Sequence, residues 1–433
     1  MVRLTAKRNN NMKAINSIFL VLFLAGGVAS AATAQSFRTD INPALRYYQA
    51  FLAAPDISAP EFDYLATNCW SGQKLPPRFG ELVSRYDSEF KLVRQAAAAT
   101  VPCDWGIDMS DGPFTLLPQL ARAKAVALGA RFRVSWALQH DRQGDARDDF
   151  LASFALARNI SRDGILITTL VQSAMEAILC GNLAENFGRF TSETLRQVAD
   201  GLDHAPERRT VAAALTAERR LLHDRLVNKV MALQKENPGG DAKVMAGINK
   251  LFAPSENPES SQATLSQTDP ALSERITQAS GGTSEGVLKL LREQGQLYDR
   301  LAVIAALPYS EFQTAIKQLK TEIEGSPNPL QPQALGAIER ARRREFKIQV
   351  WLAMVRAATE YRLHGEAALL AVNDPAATGP FAFRRFVFDG VDRGFELRSA
   401  YEGGGFPEIL IFVEKTGPSF LVDGPHAGQA RAK

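Results

Sequence analysis
A chain of 433 residues, 45% hydrophobic and 22% charged, has ample material for a packed core and for two lobes. Its formal charge of +3, from 50 basic and 47 acidic residues, is too small to single out a nucleic-acid partner. None of the three cysteines lies in a CxxC pair, which argues against a zinc ribbon or a dithiol redox site.

Residues 1–34 read as a secretory signal. Arg3, Lys7, Arg8 and Lys13 are its only charged side chains, 15–28 is an apolar run, and Ala32-Thr33-Ala34 offers small residues for cleavage after Ala34. The apolar run is about 14 residues, short of the ~20 that span a bilayer. Met12 is an alternative start, and an uncleaved anchor is the other reading of the segment. Without residues 1–34 the balance is 46 basic against 47 acidic residues, or −1, so no nucleic-acid partner is expected. Export also places the cysteines in an oxidising compartment. Cys69 (TNCWSG) and Cys103 (VPCDWG) then form a possible disulfide, worth about 3–4 kcal/mol in the chain-entropy view, with unpaired thiols as the alternative. Cys180 reads as a buried thiol on the apolar face of a helix.

Residues 35–235 read as a helical region. Asn42-Pro43 opens a first helix, stopped by Pro55, and apolar spacing predicts a second over 78–98. Residues 101–115, rich in Asp, Gly and Pro, form a structured loop. The centre is 116–187: an Ala-rich helix, a polar break at Gly144-Asp145, and two further helices. Asp145 is placed to cap the second of these, and Ser161 or Asp163 the third. Thr191 or Ser192 caps the next helix, and a long one is expected from about Glu207 to Lys235. Residues 236–283, with their Pro, Gly-Gly and Ser/Gln-rich runs, read as a flexible insertion with one helical piece, AKVMAGINKLF. Helices resume over 284–366 and stop at Gly365. Residues 374–416 change to short alternating runs that predict a small antiparallel sheet. Residues 417–433 read as a disordered tail. The fold class is thus mainly α, an irregular array of helical hairpins with a small C-terminal antiparallel β-sheet.

The run ALQHDRQGDARDDFLASFALARNISRDGILI, together with NPALRYYQAFL and CDWG, resembles a group of uncharacterised exported bacterial helical proteins. That likeness implies export and a helical array, and brings no activity. Residues 140–157 are also similar to one tetratricopeptide hairpin. No 34-residue period recurs elsewhere in the chain. The C-terminal end, EYRLHG followed by TGPFAFRRF and GFELRSA, is similar to the ends of pseudopilin-type proteins. The corresponding loop, Glu402-Gly403-Gly404-Gly405, lacks the aspartates that would bind calcium.

Chemistry is thinly marked. No GxSxG or SxxK in a recognisable context, no HExxH and no phosphate loop occurs, and no cofactor or metal is expected. His140, His204, His223, His364 and His426 have no metal-ligand spacing, and His223-Asp224 with Glu218 is the nearest approach to a cluster. Asp104, Asp108 and Asp111 could converge on a cation, although turn and cap roles are commoner for Asp. Arg340, Arg342, Arg343, Arg344 and Lys347 read as a solvated helix face, or as a contact for an acidic partner or the lipid headgroup surface. These features lead to an exported helical binding or scaffold protein of the cell envelope. The alternative is a periplasmic hydrolase assembled from distant helices, with Asp104, Asp108, Asp111 and His223 as its residues.

Overall fold
A computed structural model of the chain describes residues 37–67, 74–112, 115–162, 164–252 and 271–415. The signal-like segment 1–34, Cys69, Asp163, His426 and the expected tail 417–433 lie outside these residues. The architecture is mainly α, with a three-stranded antiparallel sheet at the C-terminal end.

Helix α1 (Pro43–Leu52) starts as expected: the Asn42 side chain accepts from Ala44 N at 3.0 Å, with Pro43 in the first turn. Helix α2 (Ala59–Thr67) was not anticipated. Its signal is nonetheless a capping box, in which Ser58 N donates to Glu61 Oε2 at 2.7 Å and Glu61 N donates to Ser58 Oγ at 3.4 Å. The helix expected over 78–98 is two, α3 (Phe79–Arg85) and α4 (Asp87–Ala97). The break has a physical cause. The Arg133 guanidinium donates to Val83 O at 2.9 Å and to Asp87 Oδ1 at 2.6 Å, so a buried cation is satisfied by the chain where it turns.

The centre is built from α5 (Gln119–Gln139), α6 (Gln143–Asn159) and α7 (Leu166–Glu185). α5 and α6 form a hairpin, turning at Asp141 with φ of 55°. Asp145 is not the cap of α6: the helix begins two residues earlier, and Asp145 sits in its first turn, facing Arg94 at 3.3 Å. Ser161 does not cap α7 either, since its hydroxyl donates to Gln172 Oε1 and to Arg158 O. Among the described residues α7 alone is long and apolar enough to cross a membrane, yet it packs inside the protein against α5, α6 and the helix 330–364.

After a 3₁₀ turn (Phe187–Arg189), α8 (Ser192–Asp203) is capped by Thr191, which accepts from Thr194 N at 3.1 Å. The long helix expected from Glu207 begins at Val211. It runs as α9 (Val211–Glu218), a π-turn (Arg219–His223) and α10 (Asp224–Glu236). The described part of 236–283, expected to be flexible with one helix, carries two: α11 (Asp241–Phe252) and α12 (Leu272–Ala279). Both bury apolar faces, Val244, Met245 and Ile248 on α11 and Leu272 and Ile276 on α12. Then come α13 (Ser284–Ala305), α14 (Tyr309–Ile323), α15 (Leu330–His364) and the short α16 (Glu366–Leu370). Gly365 ends α15 at φ of 85°, a left-handed conformation that favours glycine.

Strands β1 (Ala382–Phe388), β2 (Val391–Glu402) and β3 (Pro407–Val413) pair in sequence order. Alternation turns Phe395, Leu397 and Tyr401 toward the helices, where the Phe395 ring meets Phe187, Tyr361, Phe383 and Phe412.

Apolar side chains gather in one large core, a second, separate one and a small cluster of Leu117, Ile165 and Leu222. The large core runs from α1 through α5, α6, α7 and α15 to the sheet. The second joins Val230 of α10, α11, α12, the Val287–Leu291 end of α13 and Leu330. Three long helical runs contribute to both of these: α9–α10, α13 and α15, the last to the second core through Leu330.

Candidate functional site
The loop 101–115 is anchored by Trp105. Its Nε1 donates to Asn159 O at 2.9 Å, and its ring stacks with Tyr47 and Phe51. Asn42 fixes the same point, donating to Asp104 O at 2.6 Å and accepting from Asp104 N at 3.1 Å. The three aspartates then serve separate turns. Asp104 Oδ1 accepts from Gly106 N at 2.9 Å, where φ is 63°. Asp108 accepts from Ser110 N at 2.8 Å and Ser110 Oγ at 2.9 Å, which holds its carboxyl below the usual range. The Asp111 carbonyl accepts from Lys229 Nζ at 3.4 Å. All three carboxylates are exposed, and among the described residues no three His, Cys, Asp or Glu side chains gather as a metal site requires. Cys103 is buried beneath this loop; its expected bridge involves Cys69, outside the described residues. Cys180 is buried on α7, as expected, and burial pushes its thiol up.

The loop does reach the helix that carries His223, but on another face. A Cβ at Gly112 would lie 3.3 Å from Arg225 Cβ and 3.7 Å from Leu222 O. Leu222 packs there with Leu117 and Ile165, flanked by Ile107 and Met109. His223 instead points into the opposite side, toward α13. Its Nε2 donates to Leu291 O at 2.7 Å, and its Nδ1 accepts from Arg219 Nη1 at 3.0 Å. The carbonyl on Nε2 and the guanidinium on Nδ1 favour the neutral ring with hydrogen on Nε2, although Asp224 Oδ1 also lies 3.3 Å from Nδ1. Burial is the main cause that pushes the His223 pKa down, and Arg219 adds to it.

Glu218, one residue before the π-turn, is the polar group that the sequence placed nearest to His223. Its Oε2 accepts from Leu166 N at 2.8 Å, so this side chain does the capping of α7 that Ser161 does not. Its Oε1 accepts from Tyr298 OH at 3.4 Å, and the Tyr298 ring lies 6.0 Å from that of His223. Burial raises the pKa of Glu218, and that of Tyr298 more strongly. A carboxyl, an imidazole and a phenol therefore surround one π-turn, a backbone irregularity frequent at functional sites. The other described histidines lie apart. His140 stacks on Trp136, His204 contacts Asp200 O at 2.6 Å, and His364 lies 3.8 Å from Glu360.

Sequence reasoning missed a buried ionic network. Glu176 of α7 and Glu345 of α15 are 0% and 1% exposed. Arg208 lies between them, donating at 3.1 Å to each and at 3.1 Å to Ser173 Oγ. Arg158 pairs with Glu176, and Arg342 donates to Glu345 Oε2 at 3.0 Å and Leu307 O at 3.1 Å. Val211 N also donates to Glu345, at 3.0 Å. Three guanidinium groups on two carboxylates thus tie α6, α7, α9 and α15 together. This corrects the expectation for the 340–347 run: Arg340, Arg343 and Arg344 are exposed, but Arg342 is buried. The clue was positional, because Ile338, Arg342 and Glu345 fall at i, i+4 and i+7 on one helix face. A shallow open groove of about 460 Å³ lies along α14, lined by Leu307, Ser310, Glu311, Thr314, Ala315 and Gln318. It gathers no set of titratable groups. Comparison of the chain with protein-family models, with curated proteins and with solved structures finds no match in any of the three.

Proposed function
We propose that this is an exported, non-catalytic helical binding or scaffold protein of the cell envelope, whose partner is a protein or another envelope component. The observation that supports it most is a contrast between interior and surface. Asp104, Asp108, Asp111 and His223 are engaged in bonds that hold turns and helices together. Large apolar side chains, by contrast, face outward: on α1, Leu45 and Leu52 are 57% and 88% exposed and lie seven residues apart, on one face. Exposed leucines of this kind gain free energy when a partner removes them from water. Export rests on residues 1–34.

Crosslinking in the native envelope tests the reading. The wild type is expected to capture a defined partner, and Leu45→Lys with Leu52→Lys to lose it while keeping the same circular dichroism. Equal capture by both would sink the docking role of α1, and no captured partner under several growth conditions would sink binding itself. Intact mass tests export separately, because a cytoplasmic protein retaining residues 1–34 overturns it.

The hydrolase reading draws on one specific observation, the Glu218–Tyr298–His223 grouping at the π-turn. An esterase, peptidase or glycosidase activity present in the wild type and absent in a folded Glu218→Gln variant would replace the binding reading.

A further inference from the structure
The two larger hydrophobic cores meet at a narrow level. Below it lies a small lobe made of α10, α11, α12 and the first turns of α13, with Leu330 added from the start of α15. Above it lies the main body, to which α9 contributes Val211 and Leu215, and α13 contributes Leu297, Leu301 and Ala305. Whereas α15 enters the lobe only with its first residue, Leu330, the α9–α10 run and α13 each cross from one core to the other. Both carry a backbone weak point at the crossing. In the first it is the π-turn Arg219–His223. In α13 it is Gly295, the residue type with the largest conformational freedom. The two points touch: Arg219 Nε donates to Gly295 O at 3.3 Å, and a Cβ on Gly295 would come within 2.9 Å of Arg219 Nη2.

On the α13 side of the π-turn the contacts are polar, while Leu222 on its other side packs with Leu117 and Ile165. Arg219 also pairs with Asp224 and approaches Asp299 at 3.8 Å. His223 joins the crossing helices through Leu291 O, which belongs to the lobe end of α13. Among the described residues, these charged or titratable groups bond to, couple to or make ring contact with the imidazole. From its own helix they are Arg219 and Asp224, the latter at 3.3 Å from Nδ1, and from α13 they are Tyr298, which bonds to Glu218, and Asp299. The loop aspartates Asp108 and Asp111 face Arg225 and Lys229 on the far side.

We propose that the small lobe is hinged to the main body at Arg219, His223 and Gly295, and that protonation of His223 loosens the hinge. A proton on Nδ1 turns an acceptor for Arg219 into a donor facing a guanidinium. The His223–Arg219 bond breaks, the ring turns toward Asp224, and Arg219 loses its fixed position against Gly295. The lobe then moves as a unit, because its own apolar core contains no titrating group.

Hydrogen exchange on the full mature chain tests this, with peptides from 224–252 and 272–291 reporting the lobe and 123–157 reporting the body. Corrected for intrinsic rates, lobe exchange is expected to accelerate by at most about tenfold per pH unit once pH falls below the ordinary histidine value of about 6.5, since one proton is coupled. Body exchange should stay unchanged. His223→Gln should lose this pH dependence, and Arg219→Gln should move the lower end of the transition to higher pH, because Arg219 opposes the charged ring only in the closed state. Acceleration of lobe and body together, no acceleration of the lobe, or full pH dependence in His223→Gln each overturns the proposal. Should His223→Gln fail to fold, an Arg219→Gln transition whose lower end is unmoved or lower in pH also overturns it.

Discussion
Glu89 on α4 is 3% exposed, and one of its carboxylate oxygens has no hydrogen-bond partner. Burial pushes its pKa up to about 7, against the pull of Arg133 and Arg122. The sign of its contribution follows. The folded state holds this proton more tightly than the unfolded chain, so the stabilisation is complete below the ordinary glutamate value of about 4.3 and is lost as pH rises to about 7. Glu89→Gln, which is neutral at all pH, is therefore expected to be more stable than the wild type above pH 7 by about 3–4 kcal/mol, and no more stable near pH 4. Urea denaturation at several pH values reads this, and a pH-independent difference would show that packing rather than ionisation sets the effect. His223 works in the other direction. Its pKa is lowered by burial, so it withdraws stability as pH falls below about 6.5. None of this was legible from residue type, because a glutamate in DSEFKL looks like any other acid in the first turn of a helix.

Helix limits were legible where a side chain near in sequence sets them, and illegible where a distant one does. Asn42, Thr191 and Gly365 act through their own neighbours and stand where the sequence placed them. Ser58 and Glu61 form a capping box from residues 58 and 61, a local signal that was present and passed over. The start of α7 is different, since Glu218 reaches it across 52 residues. The break at Tyr86 depends on Arg133, which no window around 78–98 contains. The π-turn was hidden for another reason: one extra residue in a turn shifts the apolar stripe without interrupting it. At this scale Thr191→Ala is expected to cost about 1 kcal/mol, the usual loss for an N-cap side chain. Thermal unfolding would check it, and an unchanged midpoint would mean that packing of α8 on α6 and α15 holds its first turn without the cap.

The whole molecule is divided less evenly than its sequence suggests. Residues 236–283 looked like a linker because Pro, Gly-Gly and Ser/Gln runs outweigh their apolar content. The described part belongs instead to a second core, completed by α10 and α13 from either side. Ile248, 0% exposed at its centre, tests that division. Ile248→Ala is expected to destabilise the small lobe by about 2–5 kcal/mol and to speed exchange across 224–252 and 272–291 with little change over 123–157. Equal acceleration of both regions would mean that the two cores unfold as one unit.

Apolar periodicity, helix caps near in sequence, and the change from a period near 3.6 to alternation after residue 374 determined by themselves the mainly α class, the central helices and the small antiparallel sheet. These are properties of short windows, and the chain carries them wherever it is cut. Only the tertiary structure decided which charges are buried, which helix ends are capped from afar, and that residues 116–187 are a packing centre whose glutamates are neutralised by Arg131, Arg158 and Arg208. It also separated the loop aspartates from His223, which one sequence could list together but not orient. The physical reason is range: burial and charge pairing depend on groups far outside any helix turn, 32 residues apart for Arg208 and Glu176 and 137 for Arg208 and Glu345, and no local pattern encodes those partners.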